Sequence, residues 1–208
     1  MNAEQATRHP LFAGVEDAAG ALARLRAHAG RYAKGERILH MGERCAEMGI
    51  LLSGSAEIVG EDAGGAPVTV AHVGAGELFA EAFACSGEPL TVSVTAREEA
   101  EVLWLDAAPL LRGEEPRLCA NALRIFARKN VFLNERIRHL SRRRLEEKVL
   151  SYLRSARRAA GRETFRLPFD RQGLADHLGC DRSALSAVLS KLKKRGAIDF
   201  HKSTFRLL

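Results

Sequence analysis

Apolar residues recur along this chain with two different periods, and the changes between them divide it. Residues 1–30 carry scattered anchors, Leu11, Phe12, Val15, Leu22 and Leu25, and read as helical. From Arg31 the texture becomes a series of short apolar runs broken by Gly35, Gly42, Gly49, Gly54, Gly64, Gly65, Gly74 and Gly76. Strands of about five residues at spacings near ten, separated by glycine turns, predict an all-β barrel or sandwich. In EDAGGAP, Gly64-Gly65 supplies a hairpin turn, and LTVSVTA and AEVLWLD carry the pattern on to Asp106. After Pro116 the period lengthens. Phe126, Asn130, Leu133, Ile137 and Leu140 are spaced 4, 3, 4 and 3, a heptad seam, while Leu118, Ile125 and Phe132 form a second stripe seven apart. A helix with two apolar faces packs on its own β-domain and pairs with a second copy of itself. A single wide face buried within one subunit produces the same spacing, but a polar Asn130 inside the seam suits a register-fixing position between two chains.

The charged stretch SRRRLEEKV follows, then VLSYLRSARRAAG as a helix ending near Gly161 and FRLPFD as an extended lead-in. Two short helical patterns come next. Leu174, Ala175 and Leu178 make one apolar face, Gly179-Cys180 breaks it, and Asp181 stands where a helix N-cap is wanted. At about 100° per residue, Ser183, Ser186, Ser190 and Lys193 fall in one sector beside Arg182, and Leu185, Val188, Leu189 and Leu192 fall opposite. A buried helical hairpin with a solvated face has the same pattern. AIDFHKSTFRLL then reads as strand, polar turn and strand, so the pair is followed by a two-stranded wing. Helix, turn, helix and wing together point to double-stranded DNA. Arg182 and Ser183 would meet base edges, with Arg171, Ser186, Ser190, Lys193 and the wing's Lys202 completing the contact face.

Charge sharpens this picture. From Arg142 onward there are 17 Lys and Arg against 7 Asp and Glu, and before it 15 against 19. A near-neutral front and a basic back fit a sensor joined to a nucleic-acid domain. Composition removes other classes. No run of 18 apolar residues occurs and MNAEQATRHP has no signal-peptide core, so a cytoplasmic protein with no membrane partner is expected. Cys45, Cys85, Cys119 and Cys180 are far apart without a C-x-x-C pair, which argues against a disulfide framework or a zinc finger. No metal site or catalytic constellation stands out. A cupin-like enzyme would need a histidine-carboxylate cluster that His40 and His72 do not provide. A ligand module whose helix pair docks a protein, instead of DNA, is disfavoured by the basic back half and the wing.

The order of these segments resembles the CRP/FNR family of bacterial transcription regulators. KGERILHMGERCAEMGILLSGSAEI is similar to the opening of the family's β-roll, and GELFAEAFACSGEPLTVSVTA sits where its effector cassette lies. The long helix corresponds to the dimerisation helix, and RQGLADHLGCDRSALSAVLSKL to the helix-turn-helix. The resemblance implies an α+β fold: a jelly-roll-like β-roll sensor over 1–115, a dimerisation helix over 116–141 and a winged helix-turn-helix over 142–208. It also implies a homodimer on a palindromic site, contact with RNA polymerase, and a small-molecule effector.

The departures narrow the effector. Family members that bind cyclic nucleotides carry Gly-Glu and then Arg-Ser or Arg-Thr. Here Glu81 matches the glutamate, but Ala80 replaces the glycine, and Leu90-Thr91 stands where Arg-Thr is expected. A buried phosphate without its cation is costly, which points away from cyclic AMP. The iron–sulfur branch needs clustered N-terminal cysteines, and the first here is Cys45. A haem ligated through Cys85, His40 or His72, a thiol sensor at Cys85, an unidentified ligand or no ligand all stay open, and the cofactor is unknown. The recognition helix departs too: a glutamate followed four residues later by an arginine is common in the family, and the matching positions are Ser183 and Ala187.

Overall fold

A computed structural model describes residues 7–62 and 64–208 of the chain. It divides into two compact units, Met1–Ala127 and Arg128–Leu208.

The helical reading of residues 1–30 needs correction. Residues 1–6 lie outside the described residues. Beyond them come a 3-10 turn at Pro10–Phe12 and one short helix, α1 (Ala18–Arg24), whose first turn is capped by the Asp17 carboxylate on the Gly20 amide at 2.8 Å. His28–Tyr32 is already a strand, β1, paired antiparallel with β8 (Ala100–Asp106) from His28 opposite Trp104 to Tyr32 opposite Ala100. HAGRY has almost no apolar residue to alternate, because β1 is an edge strand with little surface to bury.

The remaining strands of the first unit are β2 (Arg37–Leu39), β3 (Glu47–Ser53), β4 (Ser55–Glu61), β5 (Pro67–Gly74), β6 (Leu78–Phe79) and β7 (Ser93–Ala96). They form two four-stranded sheets, ordered β1-β8-β3-β6 and β2-β7-β4-β5. β3 and β8 are buried on both faces, which explains their unbroken apolar runs. Met48, Ile50, Leu103 and Leu105 join a core cluster with Leu11, Phe12 and Leu22, while Leu51, Val102 and Trp104 join another with Ala56, Val94 and Phe79. The first sheet is therefore a middle layer between helices and the second sheet. The hairpin turn falls where the glycine pair placed it: Asp62 Oδ1 accepts from the amides of Gly64 (2.8 Å) and Ala66 (3.0 Å), and Gly65 has φ +80°.

Two short helices, α2 (Glu81–Ser86) and α3 (Ala108–Leu111), precede the 25-residue helix α4 (Pro116–Leu140). Leu118 and Ala122 of α4 are buried in the first core cluster, and Ile125 and Phe126 pack against it. No helix among the described residues is long and apolar enough to cross a membrane.

The second unit continues with α5 (Leu145–Ala160), β9 (Thr164–Arg166), α6 (Arg171–Leu178), α7 (Arg182–Lys194), β10 (Ile198–His201) and β11 (Thr204–Leu207). Val149, Leu153, Phe165, Leu174, Leu178, Leu185, Leu189, Leu192, Ile198 and Phe205 form its core. Its shortest helix, the eight-residue α6, is too short to hold its shape alone, and the shared core fixes the segments together.

Candidate nucleic-acid interface

The two helices of the second unit are set by their ends. Asp170 caps α6 by accepting from the Gly173 amide at 2.7 Å. Gly179 closes it with φ +60°, a left-handed backbone that a side chain would strain. Asp181 occupies the N-cap of α7 with extended backbone, but its side chain makes no capping bond, so that carboxylate stays at the surface beside Arg182. Leu185, Leu189 and Leu192 bury one face of α7. The opposite face presents Arg182, Ser183, Ser190 and Lys193, all exposed. Ser186 is half-buried, and its hydroxyl donates back to the Arg182 carbonyl at 2.9 Å. It keeps its oxygen lone pairs for an incoming donor while its proton stays in the helix.

The wing stands beside this face. β10 and β11 pair antiparallel, β9 adds a third strand, and the connecting turn carries Lys202 with φ +52°. Phe200 is the platform on which the cations assemble: the Arg171 guanidinium lies 5.1 Å from its ring centroid and the Lys193 ammonium 5.2 Å. Phe205 stacks on the same ring at 5.4 Å. Lys193 also pairs with Asp199 at 2.6 Å and donates to the Phe200 carbonyl at 3.2 Å. It is thus a strut between α7 and the wing as well as a surface cation. Neither the strut nor the platform follows from the periodicity of apolar positions. The available signal was an aromatic residue between polar neighbours in IDFH.

The electrostatics favour an anion. Burial, and then the charge of Arg182, lower the Arg171 pKa, so the two guanidinium groups lie close enough to repel one another. Glu146 of α5 clasps Lys191 (3.1 Å) and Arg195 (2.6 Å); the hydrogen bond from Lys191, and then the charges of both, hold its carboxyl below the usual range. Arg182, Lys194 and Lys202 make no ion pair with any described residue, and all are exposed.

The cassette of the first unit is arranged differently from a phosphate site. Ala80 has φ +61° and ψ 0°, the left-handed region, at the start of α2. Glu81 begins that helix, half-buried. Leu90 is only 3% exposed and is held by backbone bonds to Gly42 (2.7 Å) and Glu43 (2.8 Å), while Thr91 is exposed. The arginine that does reach the cassette is Arg44, which donates to the Gly87 carbonyl at the end of α2. Burial raises the pKa of half-buried Cys85, so its thiol is protonated and slow to react. His40 and His72 are exposed, and no group of three or more His, Cys, Asp or Glu among the described residues is placed to hold a metal. Cavities of about 560 Å³ (Arg44, Cys45, Trp104) and 610 Å³ (Arg24, Glu115, Arg117) lie in this unit, and neither is lined by residues 80–91.

Along α4, the seam residues divide. Leu133 (52%) and Ile137 (60%) are exposed with Asn130, whose oxygen accepts from Asn134 at 2.7 Å, whereas Phe126 and Leu140 are half-buried. Leu123, 69% exposed, continues the exposed side one helical repeat earlier.

Residues 30–112 match the family model of the cyclic nucleotide-binding domain, and residues 147–208 that of the Crp-like helix-turn-helix domain. Among solved structures, the chain is similar to FixK2 from Bradyrhizobium japonicum, at 20% identity and TM-score 0.58, over 87% of this chain and 92% of that one. The Thermus thermophilus catabolite activator protein aligns at 24% identity and TM-score 0.52, over 96% and 93%. A CooA mutant from Carboxydothermus hydrogenoformans aligns at 19% and 0.67, over 92% and 87%. No curated protein sequence matches this chain significantly.

Proposed function

Because this chain belongs to the CRP/FNR family of bacterial transcription regulators and carries its DNA-binding helix-turn-helix, we propose that it is a cytoplasmic homodimer reading a palindromic operator. The observation that carries this reading is the group of cations Arg171, Arg182 and Lys202, none in an ion pair with a described residue, spread over α6, α7 and the wing. Phosphate contacts from the wing set register, and Arg182 at the first position of α7 reads a guanine edge through two hydrogen bonds. Ser183, Ser186 and Ser190 add weaker hydroxyl contacts, and Lys193 braces the wing against the helix. The exposed stripe through Leu123, Asn130, Leu133 and Ile137 pairs with the same stripe of a second copy. The two recognition helices then stand about 34 Å apart, one turn of duplex.

The effector, in this reading, is not cyclic AMP. Leu90 places a buried apolar side chain where the cyclic phosphate needs a cation. A ligand of the β-roll acts only by binding better to the conformer whose recognition helices have operator spacing, because equal affinity for both conformers shifts nothing. RNA polymerase is the partner through which an operator-bound dimer changes transcription. The family is one of regulators and not of enzymes, and the proposal includes no catalytic step.

Selection of binding sites from a random DNA pool, by the full chain at fixed salt and without ligand, tests the proposal. An enriched inverted repeat with half-sites about 10 base pairs apart supports it. Enrichment of a lone half-site overturns the dimer, and an unenriched pool both before and after addition of cell extract overturns the operator.

A further inference from the structure

The second unit contains a cavity that the DNA-reading face does not use. Its volume is about 670 Å³, within the range of small-molecule pockets, and it lies among the later part of α4, α5, β9 and α6. One wall is aromatic. The His177 ring sits 4.8 Å from that of Tyr152 and 5.7 Å from that of Phe132. The rim is cationic, with Arg136, Arg158 and Arg166 lining it. Glu135 also lines it, but that carboxylate is paired with Arg138 at 3.6 Å.

The arginines are not equivalent. Arg136 donates to the carbonyls of Asp176 (3.2 Å) and His177 (3.3 Å), which closes the end of α6. Arg158 donates to the Ser155 hydroxyl at 3.2 Å, a neutral partner that leaves its charge uncompensated. Arg166, exposed on β9, makes no ion pair with any described residue.

His177 supplies the second observation. It is 7% exposed, and its Nε2 has no hydrogen-bond partner. Burial pushes its pKa down to about 4, so the ring is neutral at pH 7 and keeps one donor and one acceptor nitrogen. An orphaned buried nitrogen is expensive, and a leucine or phenylalanine would fill the same space without that cost.

We propose that this cavity binds a small aromatic anion, its ring packed on Tyr152, Phe132 and His177 and its carboxylate or phosphate on Arg158 and Arg166. The occupant touches α6, the first helix of the DNA-binding pair.

Calorimetric titration of the full chain with 2-naphthoate, and separately with AMP, tests this. One equivalent per chain with Kd at or below about 1 mM is expected for at least one probe. Naphthoate alone identifies the carboxylate source, and AMP alone the nucleotide source. Arg166→Glu and the cavity-filling Ala159→Phe, both at exposed positions, should each weaken binding at least tenfold with an unchanged circular-dichroism spectrum. The His177 Cε1–H resonance should move on saturation. Binding of neither probe overturns the proposal. So does binding that survives both variants with His177 unmoved, because the ligand then sits elsewhere. Binding is read without DNA, so failure of the operator proposal leaves this outcome interpretable.

Discussion

Replacing Ala80 by glycine should stabilise the first unit. Ala80 holds φ +61° and ψ 0° without a capping bond. A residue with a Cβ pays about 1–2 kcal/mol to adopt that left-handed backbone, and glycine does not. Two terms oppose the gain. Glycine gives the unfolded chain more freedom, at about 0.4–1 kcal/mol, and the half-buried methyl loses packing worth a few tenths of a kcal/mol. The balance is a gain of about 0.5 kcal/mol, or a urea midpoint raised by about 0.25 M at a typical slope. Ala80→Val has the opposite sign, because a β-branched side chain in this region is strained further, and should cost more than about 1 kcal/mol. The assay is local by construction. The chain has one tryptophan, Trp104, whose ring meets Phe79 edge-on at 5.5 Å, one residue from Ala80. Its fluorescence during urea unfolding reports the first unit while the second is silent. A lowered midpoint for Ala80→Gly, or an unchanged one for Ala80→Val, would refute the reasoning.

Other outcomes follow from the second unit and the long helix. Arg182→Ala should cost about 1–3 kcal/mol of specific binding and relax preference at one base position, read by competition between operator and random DNA. Lys202→Ala should weaken all sequences alike and reduce the salt slope by about 1. Ile137→Glu should leave a monomer in sedimentation at micromolar concentration, since it places a charge on the exposed stripe beside Leu133. The folded His177 pKa, about 4, lies below its unfolded value near 6.5. The unfolded chain therefore binds the extra proton between those values, and the second unit loses stability as pH falls from about 6.5 to 4. His177→Phe should flatten that loss in circular-dichroism melts, and an identical pH profile would exclude His177 as its source.

The pattern of apolar positions reveals much of this fold because burial leaves periodic marks. The Gly64-Gly65 turn, the two-sided runs of β3 and β8 and the Gly179 break between α6 and α7 were all legible for that reason. β1 was not, because HAGRY lies at a sheet edge and is specified by pairing to β8 and by the Tyr32 hydroxyl accepting from Trp104 at 3.0 Å. The left-handed backbone at Ala80 is not announced by its own residue type, and its one sign is the glycine that the resembling family carries at that position. The face of α7 was readable by arithmetic on one helix. The Phe200 platform, the Lys193–Asp199 pair and the Glu146 clasp were not, because each joins different elements whose side chains meet only in three dimensions.

The aromatic ring between Arg171 and Lys193 has a consequence for the kinetics of operator search. Helix and wing are locked to one another before any duplex arrives, so the ordering entropy that a loose wing would lose on docking has already been lost in folding. A preassembled jaw of this kind makes fewer adjustments per encounter. Discrimination between sites is then expected in how long the protein stays, not in how often it lands. Removing the ring with Phe200→Ala loosens the wing, which is then held to the helix by the Lys193–Asp199 pair and the shared core, and the dwell time on an operator should shorten while the arrival rate stays nearly the same.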